Sequence, residues 1–471
     1  MDWRLARESR FLVRLAIPLS LTTFAQLAIT TTDLIYLGAL GAEDLAAAAM
    51  AVALYQVVTM FGLGVVTATM PMLSRLRGQR DKSMAADPLA AFRDVVRQGL
   101  WSVALFCLPC WLLLWHAEGV FSVMGQPMAI VHRSVEMMHT LQWSTAPFLG
   151  YVVLRSFFAA LERPKWTLLV AVLGVAFNAA AAGALIFGWC GLPALGLSGA
   201  GLATTLTNVF MFGALLGVAI VHKQLRHYGL HTDLRFPGRR GMTAFWRLGL
   251  PMGITQVLDS SIFYAASNMM GWLGAEALAA HVVNLQIMNM LTTISVGLSQ
   301  AATVRVGHAF GAASRQGMLR ASAAAYLVTA VTMAAASLVL LAWPRTLLAI
   351  FISVGDPANA HVVDVGLGLL AIGAVFVVAD GLQFIGLGVL RGLHDTAVPM
   401  VIGLVGGWIV GLPLGAFLAF TLGMGAAGIW LGLAAGLGAV ALLFAVRCLK
   451  LVATAGHEDT LSARSNGLDI S

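Results

Sequence analysis

The chain has 471 residues, 59% hydrophobic and 10% charged, with 50 glycines and a formal net charge of +7. Soluble domains carry about 25% charged residues, so this composition excludes an ordinary globular surface, and the scatter of basic residues over short loops argues against a nucleic-acid partner. Apolar runs of the ~20 residues that cross a bilayer recur along the whole chain, which excludes a soluble domain on one anchor. The alternating segments of a β-barrel are absent, so the reading is an all-α integral membrane protein solvated by lipid.

Runs between charged or Pro/Gly-rich breaks predict twelve helices. They are helix 1 over 12–37, helix 2 over 46–73, helix 3 over 96–116, helix 4 over 133–160, helix 5 over 166–188 and helix 6 over 195–222. The second half holds helix 7 over 245–272, helix 8 over 278–306, helix 9 over 320–343, helix 10 over 360–390, helix 11 over 397–419 and helix 12 over 425–449. Helix 1 is too long for a signal-peptide core and is read as retained. Cys107, Cys110, Cys190 and Cys448 lie in or beside apolar segments and read as small buried hydrophobes, the lone CxxC having no second pair.

Lysine and arginine orient these helices. With Arg4, Arg7, Arg10 and Arg14 inside, the loops at 75–97, 163–165, 223–247, 305–320 and 391–395 and the tail share their side. Arg155 is assigned to the end of helix 4, and Arg133 and Arg345 alone fall opposite. The positive-inside rule then predicts a multi-pass protein of the cell inner membrane with both termini cytoplasmic.

A shift of 233 residues aligns the halves without gaps. Pro18 meets Pro251, Thr22 meets Thr255, Gly38 meets Gly271, and LGAEDLAAA (40–48) meets LGAEALAAH (273–281). This predicts an N-lobe over 1–222, a basic cytoplasmic linker over 223–243, a C-lobe over 244–450 and a disordered cytoplasmic tail over 451–471. Six helices per repeat return each lobe to its starting side, so the lobes are parallel and related by a pseudo-two-fold axis along the membrane normal. No GxxxxGK[ST] occurs, so concentrative transport would run on an ion gradient or a separate ATPase subunit.

Three acids lie well inside predicted helices: Asp33, Asp259 and Asp380. A central Asp costs about 2.5–3.5 kcal/mol on insertion scales; either helix ends and hydroxyls satisfy it, or it serves an ion or substrate path. At ~1.5 Å per residue, Asp259 and Asp380 stand at similar depth from Arg247 and Arg391 and are expected to meet. Two such carboxylates share a proton or a monovalent cation. Asp33 lies higher, yet Gln26, which the repeat aligns with Asp259, is two turns before it on the same face. Asn178, Thr204 and Asn208 are candidate partners of Asp33, while Gln256, Asn284, Gln286 and Gln383 are candidates nearer the other acids; all could equally be interhelical glue. Met269, Met270, Met288, Met290, Phe263 and Tyr264 line an adaptable pocket or simply pack. His281 is read as interfacial.

The blocks TDLIYLGALGAEDLAAAAM, LPMGITQVLDSSIFYAASNMMGWLGAEALAAHVVNLQ, AATVRVGHAFGA and ADGLQFIGLGVLRGLHDTAVPM resemble the multidrug and toxin extrusion (MATE) family, NorM-type branch, in order and spacing from about 10 to 450. The resemblance implies a V-shaped twelve-helix exporter that exchanges Na⁺ or H⁺ for bulky, often cationic, amphiphilic compounds. By position it implies that Asp33 is the helix-1 acid, Asp259 stands where glutamate is usual, Asp380 opens a DxxQ block with Gln383, and Asn178 belongs to the N-lobe site. Gly174, Ala182 and Phe376 stand where further oxygens are often found, which thins a sodium cage and favours the proton.

The expected function is therefore secondary antiport of drugs against H⁺ or Na⁺ by alternating access between two lobes. No cofactor is expected, and the partners are the bilayer and small-molecule drugs, with the chain a monomer. The alternative is a flippase for a lipid-linked precursor, which would want Arg or Lys in its cavity. An enzyme would need a catalytic constellation, and the histidines cluster in loops or stand singly near helix ends.

Overall fold

The computed structural model describes residues 3–81, 88–123, 125, 127–191, 193–230 and 235–466, with side chains for all of these except 88, 190 and 455–466. Among the described residues there is no strand, and twelve long helical elements follow one another. Helix 1 is Trp3–Gly38, helix 2 Ala42–Asp81, helix 3 Pro88–Trp115, helix 5 Lys165–Phe187 and helix 6 Gly196–Val221. Helix 4 covers 128–160 as Met128–Leu141 and Thr145–Ala160 joined by a 3₁₀ turn. Helix 7 is Arg239–Leu273, helix 8 Ala275–Gly311, helix 9 Arg315–Ala342, helix 10 Ala360–Gly392, helix 11 Ala397–Thr421 and helix 12 Gly425–Asn466. Ten of them are long and apolar enough to cross a bilayer. Helix 4 falls outside that set because its turn leaves pieces of 14 and 16 residues; in helix 7 the stretch after Arg247 is interrupted by Thr255, Gln256, Asp259, Ser260 and Ser261.

Several boundaries differ from the sequence reading. Helix 1 runs back through Arg4, Arg7 and Arg10, because these long side chains keep their charges at the rim while the backbone stays hydrogen-bonded. Helix 12 continues to Asn466, through most of the segment read as a disordered tail. Residues 231–234 of the linker, His231 among them, and 467–471 of the tail lie outside the described residues, as does the side chain of Cys190. Cys107, Cys110 and Cys448 are free and buried.

Packing divides the chain into two compact units: an N-unit of 21–76 and 85–256, and a C-unit of 1–20, 77–84 and 257–471. The divisions fall inside helices 1, 2 and 7 rather than at loops. In the C-unit, the Ser20 hydroxyl donates to Ile294 O at 3.4 Å, and Arg305 Nη2 donates to Glu8 Oε2 at 2.8 Å. The start of helix 1 is thereby bound to helix 8. In the N-unit, the start of helix 7 lies on helix 2, where Gly64 and Gly253 are too close for a Cβ between them.

Each unit has one central helix. In the N-unit it is the second part of helix 4, where Leu149 to Ala160 are buried without interruption, so the helix is covered all round. In the C-unit it is helix 10, buried on most sides between helices 8, 9 and 12.

The repeat is visible in the backbone. Gly41, preceding helix 2, has φ 125° and ψ 169°; Gly274, preceding helix 8, has φ 122° and ψ 167°. These positions are 233 residues apart, and only glycine holds that conformation without strain. Nothing lies within 4 Å of a Cβ at either site, so the cost of a side chain is conformational. Gly41→Ala and Gly274→Ala are each expected to destabilise the protein by about 1–3 kcal/mol. Thermal unfolding in detergent reads this as a lowered midpoint, and an unchanged midpoint in both variants would contradict it.

Candidate functional site

Asp33 stands near the end of helix 1, half-buried. Helix 5 brings Asn178, whose Nδ2 donates to Asp33 Oδ1 at 3.0 Å, and helix 6 brings Thr204, whose hydroxyl donates to Oδ2 at 3.1 Å. Both carboxylate oxygens are thus held by neutral donors, which orient the group without neutralising it. The Oδ1 of Asn178 is buried and makes no hydrogen bond, leaving an acceptor beside the carboxylate. Asn208 is buried on helix 6 and makes no hydrogen bond to Asp33.

The C-unit brings Asp259 of helix 7 and Asp380 of helix 10 to one cavity, as their similar depth predicts. Its volume is about 40 Å³, room for a water or two. Asp380 is 3% exposed and accepts from the Thr292 hydroxyl at 2.7 Å. Gln383 also lines the cavity, its buried Oε1 making no hydrogen bond. Asp259 makes no direct ion pair among the described residues; the positive charge acting on it is Arg391, at the end of helix 10. The remaining walls are apolar: Ile262, Phe263, Phe384, Leu433, Leu437, Val440 and the glycines of helix 11.

Those glycines are set by an irregular helix. Helix 11 widens to i→i+5 turns over Val405–Gly411 and Phe417–Thr421, a deformation that re-aims side chains and is frequent at functional sites. Gly403, Gly407 and Gly411 line the cavity. Gly411 and Gly415 also meet Gly436 and Gly432 of helix 12, backbone against backbone, the small-residue contact by which helices approach closely in lipid.

A family model, MatE, matches residues 18–182 and 251–417. Its two matches start at Pro18 and Pro251, the 233-residue spacing of the repeat. The chain belongs to the MatE family. Relatives of this MATE protein include the "Probable multidrug resistance protein NorM" of Brucella suis biovar 1 (strain 1330), 44% identical over 94% of this chain and 93% of that one. The protein of the same description from Mesorhizobium japonicum (strain LMG 29417 / CECT 9101 / MAFF 303099) is 41% identical, over 95% and 94%. In fold the chain is similar to a crystal structure of MATE in complex with MaL6, with TM-score 0.85 and 17% identity over 96% of this chain and 97% of that one. As a MATE protein it is a multi-pass membrane protein of a transporter family rather than an enzyme.

Other expected site residues of this MATE chain are placed elsewhere. Gln256 and Gln286 are half-buried and do not line the cavity. Asn284 is buried and donates to Ala280 O at 2.8 Å, a bond within its own helix. Met269, Met270 and Met288 are core residues of the C-unit, Met290 and Tyr264 are exposed, and only Phe263 of that set reaches the cavity. Phe376 is buried against Phe263 and Trp430, and Gly174 faces Met211, so neither place supplies an oxygen. His281 is fully buried in protein: its Nδ1 accepts from Trp430 Nε1 at 3.1 Å, and its Nε2 lies 3.1 Å from the Ser267 hydroxyl. Because the indole only donates, Nδ1 is unprotonated and Nε2 carries the hydrogen.

Sequence reasoning missed Thr292 and Arg391. Thr292 gives no signal, since threonine is common in membrane helices. Arg391 gave one that was read only as a topology marker. Arg155 lies toward the end of helix 4, as assigned, and is buried there in the central helix of the N-unit.

Proposed function

We propose that the protein is a secondary multidrug exporter, exchanging H⁺ or Na⁺ for bulky, often cationic amphiphiles by alternating access between two lobes. The observation that carries this is the pairing of Asp259 and Asp380 in one small, mostly apolar cavity. Two carboxylates in such a place attract a proton or monovalent cation strongly. Asp33, held by Asn178 and Thr204, is the corresponding acid of the N-unit. The relatives described as probable multidrug resistance proteins NorM support the same substrate class.

The proton is favoured over sodium. A hard cation wants several oxygen ligands, and of the side chains lining the cavity only Asp259, Asp380 and Gln383 carry oxygen. The acidic character of both sites speaks against a flippase for phosphate-bearing lipids. We place the protein in the cell inner membrane as a monomer with both termini cytoplasmic.

The test is dye efflux from proteoliposomes under an imposed pH gradient or an imposed Na⁺ gradient, each alone, for wild type and Asp33→Asn. Efflux on the pH gradient alone, lost in the variant, is the expected result. Efflux on the Na⁺ gradient alone would overturn the ion assignment, and none under either would overturn the antiporter reading.

A further inference from the structure

The central helix of the N-unit buries an arginine with no acid beside it. Arg155 is 7% exposed, and its Nη1 donates to Gln26 Oε1 at 2.9 Å. Among the described residues no carboxylate pairs with it, and Tyr151 stands one turn earlier on the same helix face. Three groups able to donate here are left without a partner: Arg155 Nε, Gln26 Nε2 and the Tyr151 hydroxyl are all buried and make no hydrogen bond. Tyr151 is 0% exposed. A buried charge is sustained only when it is paired and its hydrogen-bonding capacity used.

The repeat identifies the charge that the N-unit lacks. The shift of 233 places Gln26 on Asp259, and it places Arg155 on Gly388, one turn before Arg391 on the same helix. Arg391 is the cation that acts on Asp259. In the N-unit the arginine contacts helix 1 directly, whereas in the C-unit Arg391 acts on Asp259 of helix 7 at longer range, with no ion pair between them. The C-unit has a carboxylate there; the N-unit has an amide and retains the positive charge.

We propose that Arg155, Gln26 and Tyr151 form a buried site for one small monovalent anion of the size of chloride. A halide accepts from guanidinium, amide and hydroxyl hydrogens alike, without directional demand, and it supplies the negative charge that Asp259 supplies in the C-unit. Asp33 lies seven residues beyond Gln26 on helix 1, ~10 Å along the axis. On the reading of Asp33 as a cation site, which this second step rests on, an anion at that distance in a protein-like dielectric changes cation affinity about tenfold.

Thermal unfolding of the purified full chain, with sodium chloride exchanged for sodium gluconate at constant ionic strength, tests the site apart from transport. The midpoint is expected to rise saturably with chloride in wild type and in Arg240→Gln, an exposed-site control, and to lose its chloride dependence in Arg155→Gln. Tyr151→Phe, which removes one donor and no charge, is expected to raise the half-saturating chloride several-fold. If Arg155→Gln does not fold, Tyr151→Phe and Gln26→Leu decide. No chloride dependence in wild type, or the same dependence in all variants, overturns the site. In proteoliposomes, replacing chloride by gluconate is expected to shift the half-saturating coupling ion about tenfold; chloride binding without that shift upholds the site and overturns its link to Asp33.

Discussion

Asp380→Asn is expected to abolish gradient-driven efflux while leaving the amount of folded, inserted protein near that of wild type. The carboxylate is 3% exposed and hydrogen-bonded by Thr292 at 2.7 Å, and asparagine keeps its shape, so the fold loses little. The charge is another matter. A cation 4 Å from a carboxylate at an effective dielectric of 20 gains about 4 kcal/mol, or roughly a thousandfold in affinity. Asp259→Asn should behave alike, because both acids line the same cavity. Asp259→Glu keeps the charge and extends by one methylene into that cavity, and is expected to retain efflux. The comparison is made in proteoliposomes of matched protein content; full efflux by Asp380→Asn would remove the C-unit acids from the coupling site.

Gly432→Leu is expected to prevent accumulation of folded protein, and Gly432→Ala to lower the unfolding midpoint. A Cβ at Gly432 would stand 2.2 Å from Gly415 N and 2.3 Å from Gly415 Cα. Those atoms are backbone, so the clash is relieved only by moving helix 11 off helix 12. Overpacking of this kind costs about 1–3 kcal/mol for one added methylene, more for larger groups. Helix 11 also supplies Gly403, Gly407 and Gly411 to the cavity wall, so a Gly432→Ala protein that folds is expected to export poorly. Gly438→Ala is the control: it has nothing within 4 Å, and alanine gains about 1 kcal/mol of helix propensity over glycine. Size-exclusion profiles and melting curves in detergent separate these outcomes; equal stability of the Gly432 and Gly438 alanine variants would refute the packing argument.

Much of this molecule was legible in the sequence because a bilayer imposes simple rules. Backbone groups in lipid must be hydrogen-bonded within the segment, so each long apolar run had to be a helix, and twelve such elements are present among the described residues. The duplication could be read residue by residue, and Gly41 and Gly274 repeat it in their dihedral angles. The meeting of Asp259 and Asp380 followed from depth alone, since two rigid helices counted from basic markers place side chains to within a turn. Asn178 and Thr204 were candidates for Asp33 together with Asn208, with interhelical packing an equal alternative, and only the hydrogen bonds select the first two.

What the sequence by itself determined was the solvent, the helices, the repeat and the identity of the intramembrane acids. Only the tertiary structure decided which neighbours those groups have. It buried Arg155 beside Gln26, enclosed His281 between Trp430 and Ser267, and gave Asp380 the hydroxyl of Thr292. It also placed the unit boundaries inside helices 1, 2 and 7. The physical reason is that hydropathy and charge report transfer between water and lipid, one residue at a time. Hydrogen bonds and charge compensation depend on which helix faces which, and that is settled by close contacts between residues far apart in the chain.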